Sequence, residues 1–213
     1  MDELDLLKKD WKKDDNTFPK LSYNEIYKMI LKKSSSIVKW IFIISLLEFA
    51  FWTFISFFLK DTESMKRFEQ YDADAVLIPL MIVGYIILGY FFYLFFKNYK
   101  TISAIDNAKI LMENILKTRK TVKQYVAFNL IYLVISTVVV LFLEFDRDQE
   151  VIAQVNQAAA NGEAFKFYAG IIIATVLLLA VAIGILLFFY WLVYGILLKR
   201  LNKNYKELKK LED

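Results

Sequence analysis

Polar and apolar residues fall in long blocks along this chain, and the blocks predict helices. Phe167 to Leu198 is an apolar run of 32 residues without a charge. A bilayer's hydrocarbon core asks for only about 20 helical residues, so the run overshoots by roughly three turns. Ile37–Leu59, Ala75–Phe96 and Val126–Leu143 are three further runs of spanning length. The expected fold class is therefore an all-α membrane protein: a four-transmembrane-helix bundle with cytoplasmic amphipathic helical extensions.

The polar blocks are patterned too. Residues 1–36 read as N-terminal amphipathic helices. Leu4, Leu7 and Trp11 share one face among Lys8, Lys9, Lys12 and Lys13. Ser22 with Glu25 forms a capping box, and Leu21 before the cap is placed to staple onto Ile26. Ser34–Ser36 reads as a short polar hinge. Residues 60–74 and 144–166 read as acidic loops, the second turning at Asn161-Gly162. Residues 97–125 form a helical connection, and the expected turn lies at Thr118–Thr121, where Thr121 and Gln124 make a second capping box. In the tail, residues 199–213, the spacing of Tyr194, Leu198, Leu201, Tyr205 and Leu208 is a heptad seam. Tyr190, Trp191 and Tyr194 read as an aromatic belt. That ends the fourth span near Phe189 and sends its overshoot into the cytoplasm.

Charge orients these elements. Of the 27 Lys and Arg, 22 lie in the N-terminal part, the middle connection and the tail, and 5 in the two acidic loops. The positive-inside rule places both termini and the connection in the cytoplasm. Each half of the chain then reads as basic entry, span, acidic outer loop, span, basic exit. Lys97-Asn98-Tyr99-Lys100 after the second span matches Lys203-Asn204-Tyr205-Lys206 after the fourth. Phe91-Phe92-Tyr93 likewise matches Phe188-Phe189-Tyr190. A parallel two-helix duplication accounts for this; chance matching in a chain rich in Lys, Asn, Tyr and Phe is the alternative.

The composition removes many chemistries. With no Cys and no His, disulfides and the thiolate and imidazole sites of most transition metals are excluded, as is the commonest general base. No HExxH, GxSxG or phosphate-cradling glycine loop occurs, so neither enzyme activity nor cofactor is expected. The basic face follows from topology, and no nucleic-acid partner is expected.

Glu48 stands out, since a carboxylate at the centre of a span costs about 2.5–3.5 kcal/mol on insertion scales. It is expected to face the bundle interior beside a hydrogen-bonding partner. Depth counting puts Tyr85 and Ser136 at its level, with Ser45 one turn away on its own helix. Asn129, Tyr132 and Ser136 share one face of the third span. This set is a candidate proton or cation site, or a protonated acid clamping helices together. Leu4, Leu7 and Trp11, with the tail seam, are candidate docking elements for a protein partner or a second copy; the first is equally a helix lying on anionic lipid.

The segments Asp2–Lys13, Tyr27–Ile30 and Lys33–Trp40 resemble a group of bacterial four-span inner-membrane proteins, some of which carry the label beta-carotene monooxygenase. The label conflicts with this composition, because carotenoid cleavage oxygenases hold iron through histidines. What the resemblance implies is the bacterial cytoplasmic membrane. The architecture resembles a membrane-tethered anti-sigma factor in having a small helical head, and the small multidrug exporters in having an acid in the first of four spans. The expected function is a non-enzymatic interaction, scaffold or regulatory subunit presenting cytoplasmic helices. The alternative is a small proton- or cation-coupled transporter using Glu48.

Overall fold

The computed structural model describes residues 22–59, 73–105 and 107–212, and the regular elements among them are all helical. In chain order these are α1 (Tyr23–Leu59), α2 (Asp74–Ser103), α3 (Ala108–Arg147), α4 (Gln149–Ala160), α5 (Ala164–Tyr190) and α6 (Ile196–Glu212). A π-helical turn, Trp191–Gly195, joins α5 to α6 without a break in the rod. Counting that rod as one, four helices are long and apolar enough to cross a membrane. Leu4, Leu7, Trp11 and the Leu21 staple lie outside the described residues.

The capping box at the start of α1 forms. The Ser22 amide donates to Glu25 Oε2 at 2.8 Å, and the Glu25 amide to Ser22 Oγ at 3.4 Å. These bonds to Ser22 hold the exposed Glu25 carboxyl below the usual carboxylate range. At Ser34–Ser36 the expected hinge is absent, and α1 runs straight through it. The reason is tertiary: Ser34 is fully buried and accepts a hydrogen bond from Asn204 Nδ2 at 3.0 Å.

The turn expected at Thr118–Thr121 is likewise inside a helix. Thr118 and Thr121 are buried and donate their hydroxyls to the carbonyls of Asn114 and Lys117, which satisfies them within the helix. The chain turns earlier, before Asn107, whose side chain caps α3 by accepting from the Lys109 amide at 2.8 Å. Tyr27 of α1 fastens this corner by donating to the Ile105 carbonyl at 3.0 Å. Part of the acidic 144–166 segment is also helical, because Asp148 caps α4 through the amides of Glu150 and Val151. Asn161-Gly162 turns as expected. Gly162 sits at φ 72°, in the left-handed region that glycine enters without steric cost.

Two clusters make the core. One gathers Tyr27, Ile30 and Val38 of α1 with Ile102, Ile105, Leu111, Ile115, Leu201 and Leu208. The other gathers Ile41, Phe91, Phe95, Val122, Tyr125, Tyr190 and Tyr194. The heptad seam of the tail is thus used inside the molecule: Leu201 and Leu208 are buried, and Tyr205 and Leu198 pack on the clusters. Beyond the second cluster little is buried, and in α5 only Tyr190 is.

Polar pairs set the register between helices. Asn98 Nδ2 donates to Thr121 Oγ1 at 3.3 Å, and Arg119 Nη1 to Asn202 Oδ1 at 2.9 Å. The two asparagines of the matched Lys-Asn-Tyr-Lys segments, Asn98 and Asn204, are both buried and both donate to a hydroxyl of the other half's first long helix. Counted along the helices from these three bonds, Lys39, Lys97, Lys100, Lys120, Lys123, Lys199 and Arg200 fall within roughly one helical turn of a common level. They form a basic collar separating the polar-faced ends of the helices from their apolar lengths.

Candidate functional site

Above the collar, three tyrosines converge on Glu48. Tyr190 donates its hydroxyl to Glu48 Oε1 at 2.6 Å; Tyr125 and Tyr194 donate to Oε2 at 3.0 and 3.1 Å. The carboxylate is only 7% exposed. Among the described residues it makes no ion pair with Lys or Arg.

Each donor reaches it from a different position in the fold. Tyr125 comes from α3 and stacks edge-on against Phe91 and Phe95 of α2. Tyr190 ends α5, and Tyr194 lies inside the π turn, with their rings 5.9 Å apart. The π turn, hydrogen-bonded i to i+5, widens the helix where both hydroxyls must meet one carboxylate, and such turns concentrate at functional sites. Tyr190 and Tyr194, expected in a lipid-facing belt, are buried here; of the three belt residues, Trp191 alone is exposed.

Glu48 forms the floor of a cavity of about 410 Å³ among α1, α2, α3 and α5. The cavity rises along Trp52, Thr53 and Ser56 of α1 and along Asn129, Tyr132 and Ser136 of α3, with Tyr85 and Leu88 on α2. The volume is in the range of small-molecule sites.

Of the sequence-derived set, Glu48, Tyr85, Asn129, Tyr132 and Ser136 all line this cavity, and Ser45 does not. Ser45 is buried but spends its hydroxyl on the Phe42 carbonyl, 2.8 Å away. Tyr85 and Ser136 share the cavity without bonding the carboxylate. Asn129 Nδ2 donates to the Tyr125 carbonyl at 3.0 Å, and the Tyr132 hydroxyl to the Leu80 carbonyl at 3.2 Å. Ser136 Oγ is buried with no partner among the described protein groups. A buried polar atom without a partner carries a desolvation cost, and this one lies in the cavity wall.

Close approach of α2 and α3 beside the cavity depends on Gly84. A Cβ there would stand 2.7 Å from the Tyr132 ring and hydroxyl.

Tyr125, Tyr190 and Tyr194 are partners of Glu48 beyond the set that depth and helix face single out. For Tyr125 a signal existed: continuing the Asn129–Tyr132–Ser136 face one turn back arrives at it. For Tyr190 and Tyr194, two tyrosines beside a Trp at the end of an apolar run have the same pattern as an interfacial belt, and only packing separates the two.

Residues 24–213 match the family model described as a domain of unknown function, DUF8845, and the chain belongs to that family. Comparisons with curated proteins and with solved structures give no match.

Proposed function

We propose that this is a four-span protein of the bacterial cytoplasmic membrane, with both termini inside, that moves a proton or small cation through the Glu48 site. The observation that carries this reading is a buried carboxylate at one end of a cavity, bonded by three hydroxyls and, among the described residues, by no basic side chain.

An ionised carboxylate accepts all three O–H bonds. A protonated one gains an O–H donor, and where its acceptor is a tyrosine oxygen, that tyrosine redirects its own hydrogen. Because Tyr125, Tyr190 and Tyr194 belong to α3, the end of α5 and the π turn, taking up a proton rearranges bonds between these segments and α1. A cation entering from the cavity supplies the same counter-charge, with Trp52 and Tyr85 as aromatic walls that favour it. The matched halves and their cross-paired asparagines support a parallel duplication, an arrangement some transporters use, with a site where the repeats meet.

Depth fits this role with one adjustment. Glu48 lies nine residues up from Lys39, and Tyr194 five residues up from Lys199. At 1.5 Å per residue that is roughly 8–14 Å above the collar, short of the midplane of a ~30 Å layer. The carboxylate then sits in the cytoplasmic half of the membrane and its cavity opens toward the other half.

The test is proton-coupled cation flux in proteoliposomes. Glu48→Gln keeps the shape and removes the charge, and is expected to abolish coupled flux while the protein still folds. Flux that persists at the native rate in this variant refutes the reading.

The interaction or regulatory subunit remains a second reading, supported by α5, whose apolar length buries only Tyr190. The tail seam does not support it, because Leu201 and Leu208 are buried within the molecule. A stoichiometric partner co-purifying in mild detergent would favour it.

A further inference from the structure

On the polar side of the collar, α1 and α6 leave a recess of about 590 Å³ between them. Lys32 and Lys33 enter it from α1, Arg200 and Lys203 from α6. The one acid in its wall is Glu207, 3.8 Å from Lys203. Lys32, Lys33 and Arg200 make no ion pair among the described residues. The helices are held together just here by the buried Asn204–Ser34 bond, which draws four cations to one place. Positive-inside topology accounts for basic residues on this side. It does not account for two helices converging theirs on one concavity, where like charges repel each other unless an anion sits among them.

We propose that this recess binds the phosphate of an anionic phospholipid headgroup. Phosphate matches the donors, since Arg200 can offer a bidentate fork and the lysines point charges. Two features favour a lipid over a free anion. The recess is far larger than one inorganic phosphate. One turn toward the apolar lengths, on the same helix faces, Trp40 and Ile196 are exposed and offer acyl chains a path into the membrane. Basic pockets of this kind between helices on the cytoplasmic side suit anionic headgroups. The inference is independent of the role given to Glu48.

The full-length protein, purified and delipidated in mild detergent, can be titrated with phosphatidylglycerol, phosphatidylcholine or inorganic pyrophosphate, with binding read by native mass spectrometry. The expected result is retention of phosphatidylglycerol and not of phosphatidylcholine. A variant carrying Lys33→Ser, Arg200→Ser and Lys203→Ser is expected to bind phosphatidylglycerol on the order of a hundredfold more weakly. A charge-matched control with Lys100→Ser, Lys120→Ser and Lys123→Ser is expected to lose less than about tenfold. Equal losses in the two variants, or equal retention of the two lipids, overturn the proposal. Displacement of the lipid by pyrophosphate at a similar concentration overturns the lipid assignment in favour of a free phosphate compound. If the recess variant does not fold, lysine acetylation of the native chain decides: Lys33 and Lys203 should be protected by phosphatidylglycerol alone, and no protection overturns the proposal.

Discussion

Glu48 owes its position to donors rather than to a counter-ion. A buried carboxylate with a lysine beside it is a fixed pair, but one held by three hydroxyls can exchange its proton or cation without breaking a salt bridge. The three bonds differ in length, and the 2.6 Å bond from Tyr190 is the shortest. Removing it by Tyr190→Phe is expected to cost about 1.5–3 kcal/mol, the range for hydrogen bonds to charged groups. Tyr125→Phe and Tyr194→Phe, with bonds of 3.0 and 3.1 Å, are expected to cost less. A double-mutant cycle on unfolding in detergent checks the partner: in a Glu48→Gln background the cost of Tyr190→Phe should fall to about 0.5–1.5 kcal/mol. An undiminished cost would mean that Tyr190 acts through its packing instead.

At the scale of elements, two devices shape the cavity. One is the π turn at Trp191–Gly195, which holds Tyr194 beside the carboxylate while the rod continues from α5 into α6. The other is the contact of Gly84 with Tyr132, which brings α2 and α3 together beside the opening. Gly84→Ala places a methyl group 2.7 Å from the Tyr132 ring and hydroxyl. The expected loss is about 1–3 kcal/mol, as for other overpacked sites. Shortening the obstacle with Tyr132→Leu in the same chain should recover most of the lost melting temperature. Gly84→Ala that melts with the native protein contradicts the close approach. Gly170 and Gly184 of α5, by contrast, lie on a helix with little buried in it, and a Cβ at either would meet nothing within 4 Å.

For the molecule as a whole, the proposed orientation can be tested cleanly because the chain has no Cys. A single cysteine at Asn161, in the turn after α4, should react with a membrane-impermeant maleimide on intact spheroplasts. One at Lys210, near the end of α6, should react only after permeabilisation. The reverse pattern refutes the assignment of sides. Hydrogen bonds between helices bring the first charges of all four rods to a similar level, so the two cysteine positions report on opposite ends of one bundle.

How far the sequence could be read depends on whether a signal is local. The four apolar rods, the Ser22–Glu25 cap and the Asn161-Gly162 turn follow from hydropathy, capping and backbone preference within a few residues. The inward position of Glu48 follows from the cost of a charge among apolar side chains. The departures from local pattern are of another kind. Ser34 and Thr118 to Thr121 carry local polar signals for a hinge and a turn, yet lie inside helices because neighbouring helices bury them. The tail seam announced a partner face and found its partner in α1 and α3. Sequence by itself therefore determined the class of fold, the apolar lengths and the one acid that had to be accommodated. Only the tertiary structure decided which three tyrosines accommodate it, because their convergence depends on the register of separate helices, which is not encoded at any fixed spacing along the chain.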